Sequence, residues 1–549
     1  MNWLTLLIMA QWAPGDWPMY KYDPARTGRA PAVGNFTDTS IFYVRWWDGA
    51  YSYGPLPSAP CIIDVNQDGV WDIIFALPIK DSIEGTPGAL WVNDGLDRWA
   101  FPFFFGDYTG TPNPPVAGDF DGDGEKEVTV YTCQGRLFVL RVGPDPSWNA
   151  IEFCYRLVDS AAAPPGATAY IASPLACDLD GDGKIEIITG SATRENYFGA
   201  PYVGDTVFCF KAQGSDAYTL EWKRTYGDHY FVAPPAAADI DGDGDLEIAM
   251  VSYKGFVICI DHDGTLRWSV QLRPDSTFKD VPIFGDLTGN GVPDLLIPRT
   301  GPTSATPTPG TSLWAFDASG NLLWTYDSVI QGSPSLCDLN DDGAMDVLIN
   351  SYWGYSEYTV ALKGKDGSRL WRVMSYIVPQ IFDVNGDGQE EIITADRGIL
   401  AIRKDGFALW EFPTGVSSSI GTPGTPLMAD FDGDGFGEIF TAGGSCHMAV
   451  IDADSAALPV SERVAGPRRF MSVEPRVFRG AFRINLSFPE EREVELTLYD
   501  FTGKRIELVY EGVTKEKTIT HTKPLKPGVY VLVLRGEEVH ERMSLLRAP

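Results

Sequence analysis

A chain of 549 residues is too long for one ordinary hydrophobic core, so it holds two or more domains or one repeat array. An apolar fraction of 44% with 12% aromatics excludes a disordered chain, and 57 Gly with 40 Pro favour the many turns of an all-β protein. A net charge of −31 argues against nucleic acid as a partner, because phosphate binding needs a basic footprint.

Residues 1–13, MNWLTLLIMAQWA, carry a short apolar run with small residues at Ala10 and Ala13. The run reads as a secretory signal peptide, with a buried N-terminal strand as the other reading. No later stretch reaches the ~20 uninterrupted apolar residues of a membrane-spanning helix, so no transmembrane segment is expected. The eight cysteines contain no C-x-x-C spacing and hence no zinc signature. Cys61, Cys177 and Cys337 each end an apolar run and read as core residues, while a Cys133–Cys154 pairing stays open.

From residue 64 onward an acidic nonapeptide, D-x-[DNT]-x-[DN]-G-x-x-[DE], occurs eight times. Loop 1 offers Asp64, Asn66, Asp68 and Asp72. Loop 2 offers Asp119, Asp121, Asp123 and Glu127, and loop 3 Asp178, Asp180, Asp182 and Glu186. Loop 4 offers Asp239, Asp241, Asp243 and Glu247, and loop 5 Asp286, Thr288, Asn290 and Asp294. Loop 6 offers Asp338, Asn340, Asp342 and Asp346. Loop 7 offers Asp383, Asn385, Asp387 and Glu391, and loop 8 Asp430, Asp432, Asp434 and Glu438. From first Asp to first Asp the steps are 55, 59, 61, 47, 52, 45 and 47 residues, a period that signals stacked units of about four short strands.

The best preserved period starts at Pro234. An apolar strand enters the loop, Glu247-Ile-Ala-Met-Val leaves it, Gly255-Phe-Val-Ile-Cys-Ile follows, and Leu266-Arg-Trp268-Ser-Val closes after the Asp263-Gly264 turn. The closing tryptophan recurs at Trp99, Trp222, Trp268, Trp324, Trp371 and Trp410, a stripe that reads as inter-repeat core rather than a ligand site. The last repeat lacks such a strand, and Phe42-Tyr-Val-Arg-Trp46-Trp47 ahead of the first loop is the candidate to complete it. The expected fold is therefore an all-β, eight-bladed β-propeller over residues 15–456, with seven blades as the runner-up, followed by a small β-sandwich.

Oxygens at positions 1, 3, 5 and 9 of the loop, with a backbone carbonyl at position 7, form the oxygen-only shell that suits calcium, and up to eight ions are expected. An EF-hand would place Glu at position 12. Here that position holds Phe75, Val130, Thr189, Met250, Ile297, Ile349, Thr394 and Thr441, so the loops belong to β-hairpins. Loops 2, 3, 4 and 8 carry four carboxylates each, and loop 5, with two, is expected to bind weakest.

In a four-stranded blade the acidic loops occupy one face and the longer insertions the other. Phe105, Tyr108, Tyr197, His229, Tyr230, Tyr352, Trp353 and Tyr355 fall in or near those insertions. They either form a recognition face for a glycan or protein ligand or pack over the propeller mouth. The five histidines are scattered, and no G-x-S-x-G elbow, P-loop or dinucleotide fingerprint appears. No catalytic or cofactor-binding residue is assigned.

Residues 457–469 read as a linker, and residues 470–549 change character to alternating, charged strands without tryptophan.

The loops and blades resemble the FG-GAP/VCBS repeats of integrin-α-type propellers. The opening Asp16–Gly28 and the G-x-L-x-W turns also resemble quinoprotein-like propellers. Leu498–Ile506, Lys526–Arg535 and Glu541–Arg547 resemble the type A sorting domain of type IX secretion. These resemblances imply a calcium-binding module of the cell surface or medium of a bacterium, exported through the secretion machinery. The alternative they leave is a secreted propeller enzyme, a calcium-dependent polysaccharide lyase or a quinoprotein-like dehydrogenase.

Overall fold

The structure is a computed structural model. It describes strands and turns within residues 29–104, most of 115–299 and 311–412, parts of 426–452, and most of 471–547. The signal-like residues 1–13 and the linker 457–469 lie outside the described residues. Every regular element among those described is a β-strand.

One arrangement repeats along the chain. Val116–Gly118, Glu127–Tyr131, Arg136–Arg141 and Ala150–Arg156 pair in chain order as an antiparallel sheet, with loop 2 joining the first two strands. The same order recurs around loops 1, 3, 4, 5, 6 and 7. At loop 8 the chain supplies three strands, Leu427–Ala429, Glu438–Ala442 and Met448–Asp452. The fourth comes from the other end of the sequence, where Tyr43–Asp48 pairs antiparallel with Met448–Asp452. This is the strand that the incomplete last repeat called for. Borrowing it leaves no gap in the four-strand pattern and joins distant parts of the chain.

Two additions were not legible in the sequence. Arg29–Val33 runs parallel to Gln380–Asp383 and adds a fifth strand to the first-strand edge of the loop 7 sheet. Thr168–Ala169, Thr193–Arg194 and Tyr202–Val203 form a separate three-stranded sheet within the insertions on either side of the loop 3 hairpin.

The second strand of each sheet is buried on both faces, as at Glu127–Tyr131, Glu186–Gly190 and Glu247–Val251. Fourth strands alternate buried and exposed, as expected of an outer edge with one solvated face. Cys61, Cys177 and Cys337 are buried in first strands, while Cys133 lies outside the described residues.

The tryptophan stripe joins consecutive sheets. The indole N–H donates to a backbone carbonyl of the next sheet's 3→4 turn: Trp222 to His262 at 2.9 Å, Trp268 to Ala318 at 2.9 Å, Trp324 to Gly364 at 2.5 Å and Trp371 to Lys404 at 2.8 Å. The turn glycine lies against the same ring. A Cβ on Gly320 or Gly367 would come within 2.7 Å of the Trp268 or Trp324 indole, and both glycines have positive φ. Glycine and tryptophan recur together because each turn glycine makes room for the tryptophan of the sheet before it. For these four residues the stripe is inter-repeat packing.

The C-terminal strands build differently. Phe482–Asp500 pairs with Arg505–His521 along one edge, and with Met471–Glu474 and then Gly528–Gly536 along the other. Val539–Arg547 follows Gly528–Gly536, and Val477–Phe478 pairs with it in parallel. Phe482, Ile484, Leu486, Phe488, Val494, Leu496 and Leu498 all fall on even positions and form one core with Leu532 and Leu534. The register shifts between Ser487 and Arg492, around Pro489, which has no N–H to give to a ladder.

Candidate metal centres

Each acidic loop joins a short first strand to a second strand whose first residue is position 9. All eight position-9 acids, Asp72, Glu127, Glu186, Glu247, Asp294, Asp346, Glu391 and Glu438, are at most 4% exposed. Burying a carboxylate is expensive unless it is hydrogen-bonded and its charge is met. One part of that need is met locally. In loops 2 to 8 one oxygen of the position-9 carboxylate accepts the backbone N–H of position 2, at 2.6 Å for Phe120 and Phe431 and up to 3.2 Å for Leu339. Position 2 is apolar in every loop, and in these seven its side chain is buried. That regularity was present in the sequence and marks the buried side of the hairpin.

The remaining loop residues organise the turn. Asp119 accepts the N–H groups of Gly122 and Gly124 at 2.8 and 3.0 Å, Asp286 and Asp383 do the same in their own loops, and Asp338 accepts those of Asp342 and Gly343. Position 5 accepts the N–H of position 7, as in Asp123 from Glu125 at 2.8 Å and Asp387 from Gln389 at 2.8 Å. The loops are thus preorganised by their own backbone. In loop 6 the position-4 glycine is replaced by Asp341, which takes φ 56°.

Three loops bring ligand atoms into one cluster. Asp119, Asp121 and Glu127 each place an oxygen within 4.8 Å of the others, as do Asp178, Asp180 and Glu186, and Asp239, Asp241 and Glu247. Positions 1, 3 and 9 converge there, while Asp123, Asp182 and Asp243 are not members of these trios. Asn66, Asp68, Asp432 and Asp434 lie outside the described residues, so of the four ligand positions only 1 and 9 are described in loops 1 and 8.

The loop 2 centre fits a cation. Glu127 Oε1 is buried and has no hydrogen-bond partner. Burial pushes the Glu127 carboxyl up to about 9, with Glu152, Asp121 and Asp119 adding repulsion against the Phe120 N–H. Burial likewise lifts Glu186, Glu247 and Glu391 to about 7 and Asp346 to about 6. Oxygen donors raised this way take a hard cation in place of a proton.

Of the residues expected on the opposite face, Phe105, Tyr108, Tyr197, His229, Tyr230 and Tyr355 lie outside the described residues. Tyr352 and Trp353 end the strand Asp346–Trp353, opposite Glu357 and Ser356, at the end remote from loop 6. The neighbouring Phe231 is fully buried, and a Cβ on Gly190 would meet its Cβ at 2.8 Å. That aromatic belongs to the core.

Residues 239–297, which hold loops 4 and 5, match the FG-GAP-like repeat family. No match to a curated protein sequence was found. The fold is similar to the quinohemoprotein alcohol dehydrogenase from Comamonas testosteroni, at 11% identity and TM-score 0.53 over 82% of this chain and 83% of that one. It is also similar to a europium-containing methanol dehydrogenase, at 12% identity and TM-score 0.50 over 80% and 92% of the two chains. The biofilm matrix protein Bap1 of V. cholerae aligns over 76% and 92% at 14% identity, with a TM-score of 0.39. At such identities the first two likenesses define a class, an all-β, propeller-like fold, and carry no chemistry. An FG-GAP-like repeat within that fold is the further step that the sequence match permits. Among the described residues no helix is long and apolar enough to cross a membrane.

Proposed function

We propose that this chain is a calcium-stabilised, eight-bladed β-propeller that acts as a binding or adhesion module for a glycan or protein. The observation that carries the reading is the set of eight buried position-9 acids, each starting the second strand of a sheet. Charges placed there serve the scaffold, because they sit between strands and not at an open cleft. The remaining face, that of the longer insertions, is left for recognition.

Arg29–Val33 favours this reading over a central active site. In a propeller the first strands line the axis, and this segment lies along the first strand Gln380–Asp383, beside Val329–Cys337 and Leu427–Ala429 of the adjoining sheets. On this reading it lies on the axial side of these sheets, where a cofactor or substrate of a central site would need room.

Residues 470–549 are read as a small β-sandwich that serves as a type IX sorting domain, and residues 1–13 as its companion export signal. On that reading the protein belongs to the medium or outer surface of a bacterium. The test is the calcium-loaded full chain on a glycan array, with lyase and quinone-dependent dehydrogenase assays alongside. Calcium-dependent retention of a defined glycan supports a binding module. Eliminative cleavage of a polysaccharide or quinone-dependent turnover overturns it.

A further inference from the structure

We infer that the acidic loops are of two kinds: loop 2 is a metal cage, whereas loops 3 and 4 are closed by the chain's own cations, Lys211 and Arg267. This rests on the calcium reading above and says which sites take the ion.

The three loops have the same motif and the same four carboxylates, so the ligand count ranks them equally. They differ in whether a charged side chain of the chain stands against the second oxygen of position 9. In loop 2, Glu127 Oε1 is buried and unpartnered. The buried hydroxyl of Tyr218, from the neighbouring sheet, also has no partner. Its ring packs against Phe153 of the loop 2 sheet, with the ring centroids 5.7 Å apart. An unpartnered, buried carboxylate oxygen clustered with Asp119 and Asp121 calls for a cation.

In loop 3 the cation is present. Lys211 lies across the sheet from Glu186, and its Nζ stands 2.6 Å from Asp180, 3.1 Å from Asp182 and 2.9 Å from Glu186. Those are positions 3, 5 and 9: Asp180 accepts a hydrogen bond from the ammonium group, and Glu186 Oε1, which has no hydrogen-bond partner either, is met by its charge at 2.9 Å. In loop 4 the Arg267 guanidinium meets Asp241 and lies 2.9 Å from Glu247 and 3.0 Å from Asp261. A divalent ion on the same oxygens would face a fixed positive charge a few ångströms away, which repels it strongly in a poorly screened site.

Loop 2 has a basic residue at the cross-strand position too, yet it points elsewhere. Arg141 lies opposite Glu127, and its guanidinium goes to Glu125 at 3.1 Å and Glu152 at 3.8 Å. In loop 6 Lys365 reaches the exposed Asp342 at 3.3 Å, while the second oxygen of Asp346 takes the Gly364 N–H at 3.0 Å. Contact with the buried position-9 carboxylate is what sets loops 3 and 4 apart.

Hydrogen–deuterium exchange of the full chain, in chelator and in calcium, tests the division. Calcium should slow exchange across 119–127 by about tenfold or more and leave 178–186 and 239–247 within about twofold. In the Lys211→Met variant residues 178–186 should become calcium-sensitive. If that variant does not fold, the wild-type comparison alone decides. Equal slowing at all three loops would overturn the division while leaving calcium binding intact. No slowing at any loop would remove both.

Discussion

The sheets around the acidic loops and the strands of residues 471–547 cover their apolar faces by different means. The former use short strands, a buried carboxylate at each hairpin and tryptophans that reach the next sheet. The latter use long strands of 19 and 17 residues, alternating apolar positions from Phe482 to Phe488 and from Val494 to Leu498, and one continuous core, with Glu507 meeting the exposed Lys523 and the buried His521. A repeat stabilised partly by buried charge depends on what neutralises that charge. A sheet stabilised by alternation does not.

Chelation should separate the two regions most. Each calcium site at a thousandfold excess over its Kd contributes about 4 kcal/mol, so removing several ions should lower the melting temperature of the propeller-like region by tens of degrees. The C-terminal strands should keep their exchange protection. Equal loss in both regions, followed by exchange mass spectrometry, would erase the contrast.

Substitution at the sheet junctions comes next. Gly364 donates its N–H to Asp346 and its carbonyl accepts the Trp324 indole N–H, and a Cβ there would sit 1.9 Å from the Met345 carbonyl oxygen. Gly364→Ala should cost about 3 kcal/mol or more, and Trp324→Phe about 1–2 kcal/mol through the lost indole hydrogen bond, as read by denaturant unfolding. Neither change should move the C-terminal transition.

The pH dependence in chelator has a defined sign. Folding raises Glu127 from 4.5 to about 9 and Glu186, Glu247 and Glu391 from 4.5 to about 7. Between those values the fold binds more protons than the unfolded chain, so its stability falls as pH rises. Thermal melts of the chelated protein should therefore drop steadily from about pH 5 to pH 8, and saturating calcium should remove the share of the trend that Glu127 contributes while leaving that of Glu186 and Glu247. A rise with pH in chelator would contradict the burial of these acids.

The smallest effects lie within single loops. Gly122 has φ 77° with open space around it, so Gly122→Ala should cost only about 1 kcal/mol. At the equivalent position Asp341 holds φ 56°, and Asp341→Gly should stabilise by up to about 1 kcal/mol in urea titrations.

Much of this was legible in one dimension because it is local. The acidic nonapeptide, its glycines and its exit strand depend on contacts seven residues apart or fewer, such as Phe120 to Glu127. The period, the all-β class, and the borrowed strand Tyr43–Asp48 follow from pattern and from the missing piece of the last repeat. The alternation of Phe482 to Leu498 also names its own buried face. The tertiary structure decided the partners. Trp222 finds its carbonyl 40 residues away, Lys211 its first carboxylate 31 away and Arg267 its own 26 away. Those distances are crossed by strand pairing and sheet stacking, which fix where a long side chain ends but leave no local mark in the sequence. The acidic motif therefore marks where a cation fits, and only the folded neighbours, such as Lys211 beside Glu186, decide which positive charge can stand there.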